Sequence, residues 1–502
     1  MKDVLPLLLS FPPDEQVSDV EYDQRIRNSY LSLTQIAPSK FNDHSPNGDA
    51  ILEQLDPSVN SLSYLITLLA AYDLQRAKTQ EAWPTTLRPG SAIWSKSLTF
   101  LKTFDSVQVR YAGQEWRKLV ELVISSAEAV STPFLAIEPV RDAILCLDPA
   151  GSTFTSTHVI FTRLCLQARA FDAALPVLDK DICHFPSNSD KMFLKRSQKL
   201  PCAEHESSMT YITTSSNLPA KLTYKDHLEY FLYGGMIYLG LKKWEKALHF
   251  LEVAIAAPSS GAVSQIMIEA YKKWVLASLL DRGTTSPIPK PTSSHAAKTY
   301  KAVAKPYDAL AEVFKTGNLN RLMAEIEVGQ SIWLGDNNTG LVLQVLGAFR
   351  KFSVLKLERT FTALSIPDVI ARAELNDKTV EETEAFVASL IASGELKGTL
   401  LQPDDPSQPK ILRFSTPTSD TSSETQIRDD LEAQKQRLTK LLSHIQASDN
   451  KLELGREYVE HMRRDKKRKM TAGKEGAVAS ATVGIGGGGE FDFDEDMMGD
   501  LQ

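Results

Sequence analysis

DHLEYFLYGGMIYLGLKKWEKALHFLEVAIAAPSSGAVSQIMIEAYKKWVLASLL, residues 226–280, is the stretch from which the architecture can be read. Its apolar residues recur at three- and four-residue steps through three successive segments, the period of helices that bury one face. The first segment carries Tyr230, Gly234, Ile237, Tyr238 and Leu241; the second carries Trp244, Ala247, Leu248, Leu251 and Ile255 and stops at Pro258. The third carries Met267, Ala270, Tyr271, Trp274 and Ser278 and runs to Gly283. The Gly234-Gly235 pair removes side-chain bulk where a neighbouring helix is to approach. Short hairpins of this kind cannot bury their apolar faces alone, so the pattern predicts a stacked α-solenoid.

Upstream, Phe171-Asp172-Ala173-Ala174-Leu175 repeats the aromatic-x-x-Ala-Leu wording of Trp244-Glu245-Lys246-Ala247-Leu248. The two copies lie two repeat lengths apart for repeats of about 34 to 37 residues, the spacing of tetratricopeptide-like hairpins. The wording departs from the strict consensus, which favours a degenerate helical repeat over a peptide-clamping domain. Helices are expected over 62–77 and 115–129, and residues 1–225 read as N-terminal helical repeats. Downstream, a Pro/Ser/Thr cluster at 286–294 marks a loop, and helices resume over 303–314 and 319–326. Helical repeats are thus expected to fill 226–339.

A compact module is expected over 340–414. Short helices over 341–349 and 355–364 are followed by Ser365-Ile366-Pro367-Asp368, which opens another with Pro just inside its start. Thr379-x-x-Glu382 is a capping box and Gly394 a stop, with Phe386, Val387, Leu390 and Ile391 between them. Segments 396–401 and 411–414 read as strands joined by a Pro/Asp-rich loop. Helices followed by strand, loop and strand form a winged-helix order. An exposed strand edge there is a surface for backbone pairing, with Leu396, Thr399, Leu401, Ile411 and Phe414 as candidate interface residues.

Residues 415–426 read as a Ser/Thr linker. Beyond it Ile427, Leu431, Leu438, Leu441, Ile445 and Leu452 form a heptad-like stripe among charged neighbours, predicting a bundle-forming helix over 427–462. These six are the other candidate interface residues. The tail, 463–502, is basic (Arg463, Arg464, Lys466, Lys467, Arg468, Lys469), then Gly-rich, then acidic around Phe491 and Phe493, a composition without the means to build a core.

Composition narrows the chemistry. A chain of 502 residues with 42% hydrophobic content predicts two or three structural units. The apolar opening at 5–9 is short, lacks a basic leader and meets Pro12-Pro13, so neither a signal peptide nor a membrane span is expected, and the chain reads as intracellular. Four cysteines without a C-x-x-C pair argue against a disulfide framework. Cys183-His184 and Cys202-x-x-His205 lack the paired spacings of a zinc site. The glycines at 484–489 precede no Lys-Ser/Thr, as a phosphate loop would. No nucleophile–base pair or cofactor motif is recognisable. A net charge of −7 argues against a dedicated nucleic-acid binder. A winged helix used as a nucleic-acid adaptor is the rival reading, opposed by Glu381, Glu382 and Glu384 in the first turns of the helix that would enter the groove.

Gly234-Gly235-Met236-Ile237-Tyr238, Tyr271-Lys272-Lys273, and Asp336-Asn337-Asn338 followed by Gly340-Leu341-Val342 resemble the PCI family. These are scaffold subunits shared by the proteasome lid, the COP9 signalosome and translation initiation factor three. The similarity spans about 162–414 and is strongest to the signalosome branch; lid or initiation-factor membership is the alternative. The resemblance implies a mostly α fold, a right-handed solenoid of tetratricopeptide-like hairpins followed by a winged helix, together a PCI domain over 226–414. It also implies a non-catalytic scaffold in a complex that removes a ubiquitin-like modifier from cullins, thereby controlling cullin-RING ubiquitin ligases and protein degradation. Expected partners are the other signalosome subunits and, indirectly, cullin-RING ligases, with no nucleic acid, membrane or cofactor. Expected locations are cytoplasm and nucleus; the basic run at 463–469 reads either as an import signal or, more simply, as cations at a helix end and on a solvated tail. The isopeptidase of such a complex needs a His-x-His pair, which none of the nine histidines here forms.

Overall fold

A computed structural model describes residues 5–13, 17–42, 49–78, 81, 83–186, 195–196, 199–204, 207–259, 262–375, 379–403, 409–414, 424–455 and 458–467. The chain divides into two units: Met1–Ser187 with Lys199–Glu432, and Asn188–Gln198 with Ala433–Gln502. Helices of six residues or more are numbered in chain order.

The first unit opens with α1 (Asp19–Thr34), α2 (Ser61–Lys78), α3 (Ala92–Thr103), α4 (Gly113–Ala129), α5 (Phe134–Leu147), α6 (Ser156–Gln167) and α7 (Phe171–Leu178). The expected helices over 62–77 and 115–129 are α2 and α4. Every residue from Ser61 to Tyr72 in α2 is buried, so no polar face interrupts its sequence. Its hydroxyls bond to nearby carbonyls instead: Ser61 Oγ to Pro57 O, Ser63 Oγ to Leu8 O and Thr67 Oγ1 to Ser63 O.

The stretch at 226–280 forms α8 (Tyr224–Gly240), α9 (Trp244–Ala256) and α10 (Gln265–Arg282). A Cβ at Gly234 would stand 2.5 Å from the Phe250 ring, and one at Gly235 2.9 Å from Leu251, so the pair is what lets α9 lie close on α8. The two aromatic-x-x-Ala-Leu words each start a helix, α7 and α9, with Ala174 and Ala247 fully buried. Their preceding turns match. Arg169 and Lys242 adopt left-handed backbone (φ 54° and 58°), and the next amide returns to the helix end, Ala170 N to Cys165 O and Lys243 N to Tyr238 O, each 3.0 Å. Ser131 after α4 closes in the same way (φ 57°, Thr132 N to Ala127 O 2.9 Å). This is the six-to-one closure that usually employs glycine.

The array continues through α11 (Ser294–Val303), α12 (Lys305–Thr316), α13 (Leu319–Val328), α14 (Gln330–Gly335) and α15 (Thr339–Glu358). Here the structure corrects the sequence reading: the short helices expected over 341–349 and 355–364 are one helix, α15, followed by a strand, β1 (Ala363–Ser365). Arg350 to Ser353 contains neither Gly nor Pro, and its polar residues are half-buried members of a continuous helix rather than a break. Val342, Val345 and Phe349 belong to the core of the helical array, whereas Val354 and Leu357 belong to a second core. One helix thus hands the chain from the first core to the second.

The second core is that of a winged helix: α15, β1, α16 (Ile366–Arg372), α17 (Val380–Ala392), β2 (Gly398–Leu401) and β3 (Ile411–Phe414). Ser365 Oγ accepts from Asp368 N, and Thr379 and Glu382 form the expected reciprocal cap. The sheet is antiparallel in the order β1-β3-β2, with Leu364 and Leu400 opposite Leu412. Sequence reading missed β1, three residues long and lacking an alternation of its own.

The linker expected at 415–426 lies outside the described residues as far as 423, and α18 (Glu424–Glu453) begins inside its last three positions. The helix expected over 427–462 is interrupted: α18 ends at Glu453, Gly455 follows, and helix resumes over 458–467. The tail beyond 467, with its Gly-rich and acidic segments, lies outside the described residues. Among the described residues no helix is long and apolar enough to cross a membrane.

Candidate subunit interface

The winged-helix sheet has one central strand and two edges. β3 is paired on both sides, so Ile411 and Phe414 are not edge positions; Phe414 is buried, as is Leu396, which precedes β2 within the second core. Thr399 and Leu401 lie on β2, which among the described residues pairs only with β3. Leu401 stands opposite Ile411, and both are exposed, at 45% and 36%. The candidate surface at the wing therefore contracts from five residues to the β2 edge with an apolar pair, Leu401 and Ile411, beside it. Pairing on such an edge supplies backbone hydrogen bonds, and the adjoining apolar pair supplies burial.

Along α18, Ile427, Leu431, Leu438, Ile445 and Leu452 are exposed and Leu441 is half-buried. Leu431, Leu438, Ile445 and Leu452 recur every seven residues, and Ile427 and Leu441 take the complementary heptad position. Leu442, which the sequence reading passed over, is also 58% exposed and widens the stripe. Such a row on a largely charged helix has the spacing of a coiled-coil seam.

Sequence reasoning noted Tyr271-Lys272-Lys273 and Asp336-Asn337-Asn338 only as family wording; the structure brings them together. Lys272 Nζ lies 2.6 Å from Asp336 Oδ1, whose other oxygen accepts from Tyr307 OH at 2.8 Å. Lys273 Nζ donates to Asn338 Oδ1 at 2.8 Å and pairs with Glu269, while Asn338 Nδ2 donates to Tyr307 OH at 2.9 Å. Both lysines are buried, and Asn338 fully so. Asn337 is left-handed (φ 54°), and Asn338 N reaches Trp333 O at 2.9 Å, repeating the closure seen after α4, α6 and α8. Next to this network Tyr271 OH donates to Asp308 at 3.0 Å, and burial raises the Asp308 carboxyl above the usual range. A polar clasp therefore ties α10 and α12 to the turn that launches α15, and so fixes the direction in which the winged helix leaves the array.

The cysteine–histidine words do not assemble. Cys202 Sγ donates to Asp19 O at 3.0 Å, Cys183 Sγ to Asp181 O at 3.5 Å, and His184 forms a β-bridge with Thr153; His205 lies outside the described residues. Among the described residues no three His, Cys, Asp or Glu side chains gather as a metal site would require.

Residues 30–296 match the family described as COP9 signalosome complex subunit 3, N-terminal helical repeats. Over its whole length the chain is 39% identical to COP9 signalosome complex subunit 3 of Emericella nidulans, covering 100% of both chains. It is 29% identical to the protein of the same name from Neurospora crassa, covering 99% of each. A helical array, a winged helix and a heptad-bearing terminal helix, matched from end to end at this identity, place the chain in the COP9 signalosome subunit 3 family.

Proposed function

We propose that this chain is a non-catalytic scaffold subunit of the COP9 signalosome, joined to its neighbours through the β2 edge of the winged helix and the apolar stripe of α18. The observation that carries the reading is 39% identity to a protein named as a subunit of that complex, covering 100% of both chains. Its influence on cullin modification and cullin-RING ligases is then indirect, through placement of a catalytic neighbour. Within this scheme residues 1–225 and 226–339 provide the array, 340–414 the docking module and α18 the bundle element. Duplex nucleic acid is not a partner: α17 begins with Glu381 and Glu382 in its first turn, where an approaching phosphate would meet like charge. The same scaffold is expected in cytoplasm and nucleus.

Affinity purification of the full chain from native extract, read by mass spectrometry, tests the assignment. The expected result is the set of signalosome subunits; a proteasome-lid or initiation-factor set would overturn it. Cullin demodification catalysed by the isolated chain would overturn the non-catalytic role.

A further inference from the structure

A groove of about 330 Å³ opens where α13, α14 and α15 meet. Trp333 and Val342, both buried, line its inside, and Met323 and Leu343, 41% and 58% exposed, stand at its mouth. Trp333 is pinned. Its Nε1 donates to Ile326 O at 3.0 Å, its ring meets Tyr307 edge-on with centroids 4.8 Å apart, and a Cβ at Gly329 would stand 2.4 Å from it. Tyr307 is itself held in the polar clasp, so the groove is formed before any occupant arrives. Among the described residues up to Glu358, 14 large apolar side chains are exposed, and five of them, Met323, Val328, Ile332, Leu334 and Leu343, fall within 323–343. Such a concentration marks a contact surface. Charge there is one-sided. From Val328 to Phe349 the only charged residue is Asp336, which Lys272 and Tyr307 already engage. Among the described residues Glu327 is the one charged side chain lining the groove, and it has no ion pair. Arg321 and Glu325, elsewhere on α13, do not line it and are opposite in sign. Thr339 Oγ1, also at the groove, is buried and finds no hydrogen-bond partner among the described residues. We propose that this groove receives an amphipathic helix of a partner protein, which places two large apolar side chains one turn apart inside it and a lysine or arginine against Glu327.

Each part of the occupant follows from the groove. Its walls are helices, which offer no free backbone edge. An extended segment would leave its own amides unpaired against Trp333, Val342 and Leu346, whereas a helix satisfies them internally. Side chains at i and i+4 lie one above the other on a helix face, the arrangement by which helical ligands fill apolar grooves. The cation is dictated by Glu327: an acidic helix would bring like charge to a carboxylate that nothing offsets, and a basic one is steered and oriented by it. A polar side chain of the same helix gives Thr339 Oγ1 the hydrogen bond it lacks. This surface is separate from the β2 edge and from α18, and it does not depend on which complex the chain joins.

A phage-displayed library of amphipathic helices of about four turns, panned on the full chain and counter-selected on its Leu343→Asp variant, tests the proposal. The expected survivors carry two large apolar residues at i and i+4 and a Lys or Arg within one turn of them. Fluorescence anisotropy with a selected peptide should show affinity reduced about tenfold by Leu343→Asp or by Met323→Asp. Glu327→Lys should reduce it about threefold, and a peptide whose cation is changed to Glu should recover that loss on the Glu327→Lys chain. All three replaced residues are exposed, and an unchanged thermal unfolding curve for each variant separates loss of contact from loss of fold. Enrichment of extended or acidic peptides, no enrichment at all, or helices that bind the three variants as tightly as the natural chain would overturn the proposal. So would self-association of the full chain in light scattering that Leu343→Asp abolishes, because the groove would then belong to a second copy.

Discussion

Burial governs the chemistry of His158. Its side chain lies inside the first unit, Nδ1 2.8 Å from Thr155 Oγ1, and desolvation lowers its pKa to about 4 against an opposing pull from Asp148. The folded chain keeps this imidazole neutral, whereas the unfolded chain protonates it below about pH 6.5. The stability contribution is therefore complete above pH 6.5 and falls by about 1.4 kcal/mol per pH unit down to about pH 4, a total of roughly 3.5 kcal/mol. Urea unfolding of His158→Gln should show a shallower loss between pH 7 and 4.5 than the natural chain; equal slopes would place the acid sensitivity elsewhere. At the same scale, Gly234→Ala puts a Cβ 2.5 Å from the Phe250 ring, and overpacking of that kind costs about 1–3 kcal/mol. A melting temperature unchanged by that substitution would show that α9 can slide away. The glycine pair was legible because small residues at helical spacing have one ready explanation. The left-handed closures at Ser131, Arg169, Lys242 and Asn337 were not, since none uses the glycine by which such a turn is recognised.

Between elements, the clasp around Lys272, Lys273, Asp336 and Asn338 converts family wording into mechanics. Asp336→Ala would leave Lys272, only 9% exposed, with Glu269 at 3.8 Å as its remaining carboxylate, and stripping one partner from a buried pair costs about 3–5 kcal/mol. Replacing both partners, Lys272→Met with Asp336→Leu, should recover most of that loss, because no charge is then left unpaired. Denaturant midpoints of Lys272→Met, Asp336→Leu and the double variant form the cycle; a double variant as unstable as the sum of the singles would refute the clasp. No periodicity in the sequence announces this network, since its members are distant along the chain. The continuity of α15 was obscured for a different reason: polar residues at 350–353 mimic a break when the second core receiving the following turns is not in view. For the wing, Leu401→Lys places a charge beside the β2 edge, the substitution by which natural sheets repel strand addition. It should reduce incorporation into the native assembly while leaving the far-ultraviolet circular dichroism of the free chain unchanged. Full incorporation would remove the β2 edge from the interface.

For the whole molecule, the consequential contrast is between surfaces already buried and the stripe that is not. Among the described residues the two buried cores contain none beyond Phe414, whereas α18 exposes Ile427, Leu431, Leu438, Leu442, Ile445 and Leu452 along 30 residues. Fully burying a leucine or isoleucine is worth about 1.5–3 kcal/mol, so a partner helix covering this row gains far more than the exposed charges around it provide. A chain ending at Gln426 should thus retain cooperative unfolding and the circular dichroism of the helical array and winged helix, yet enter the reconstituted complex poorly on size exclusion. Leu431→Ser with Leu438→Ser and Ile445→Ser should reproduce that defect in an otherwise complete chain, which separates loss of the apolar row from loss of length. Normal incorporation of both variants would remove α18 from the assembly, and collapse of the truncated chain would show instead that the helix stabilises its own fold.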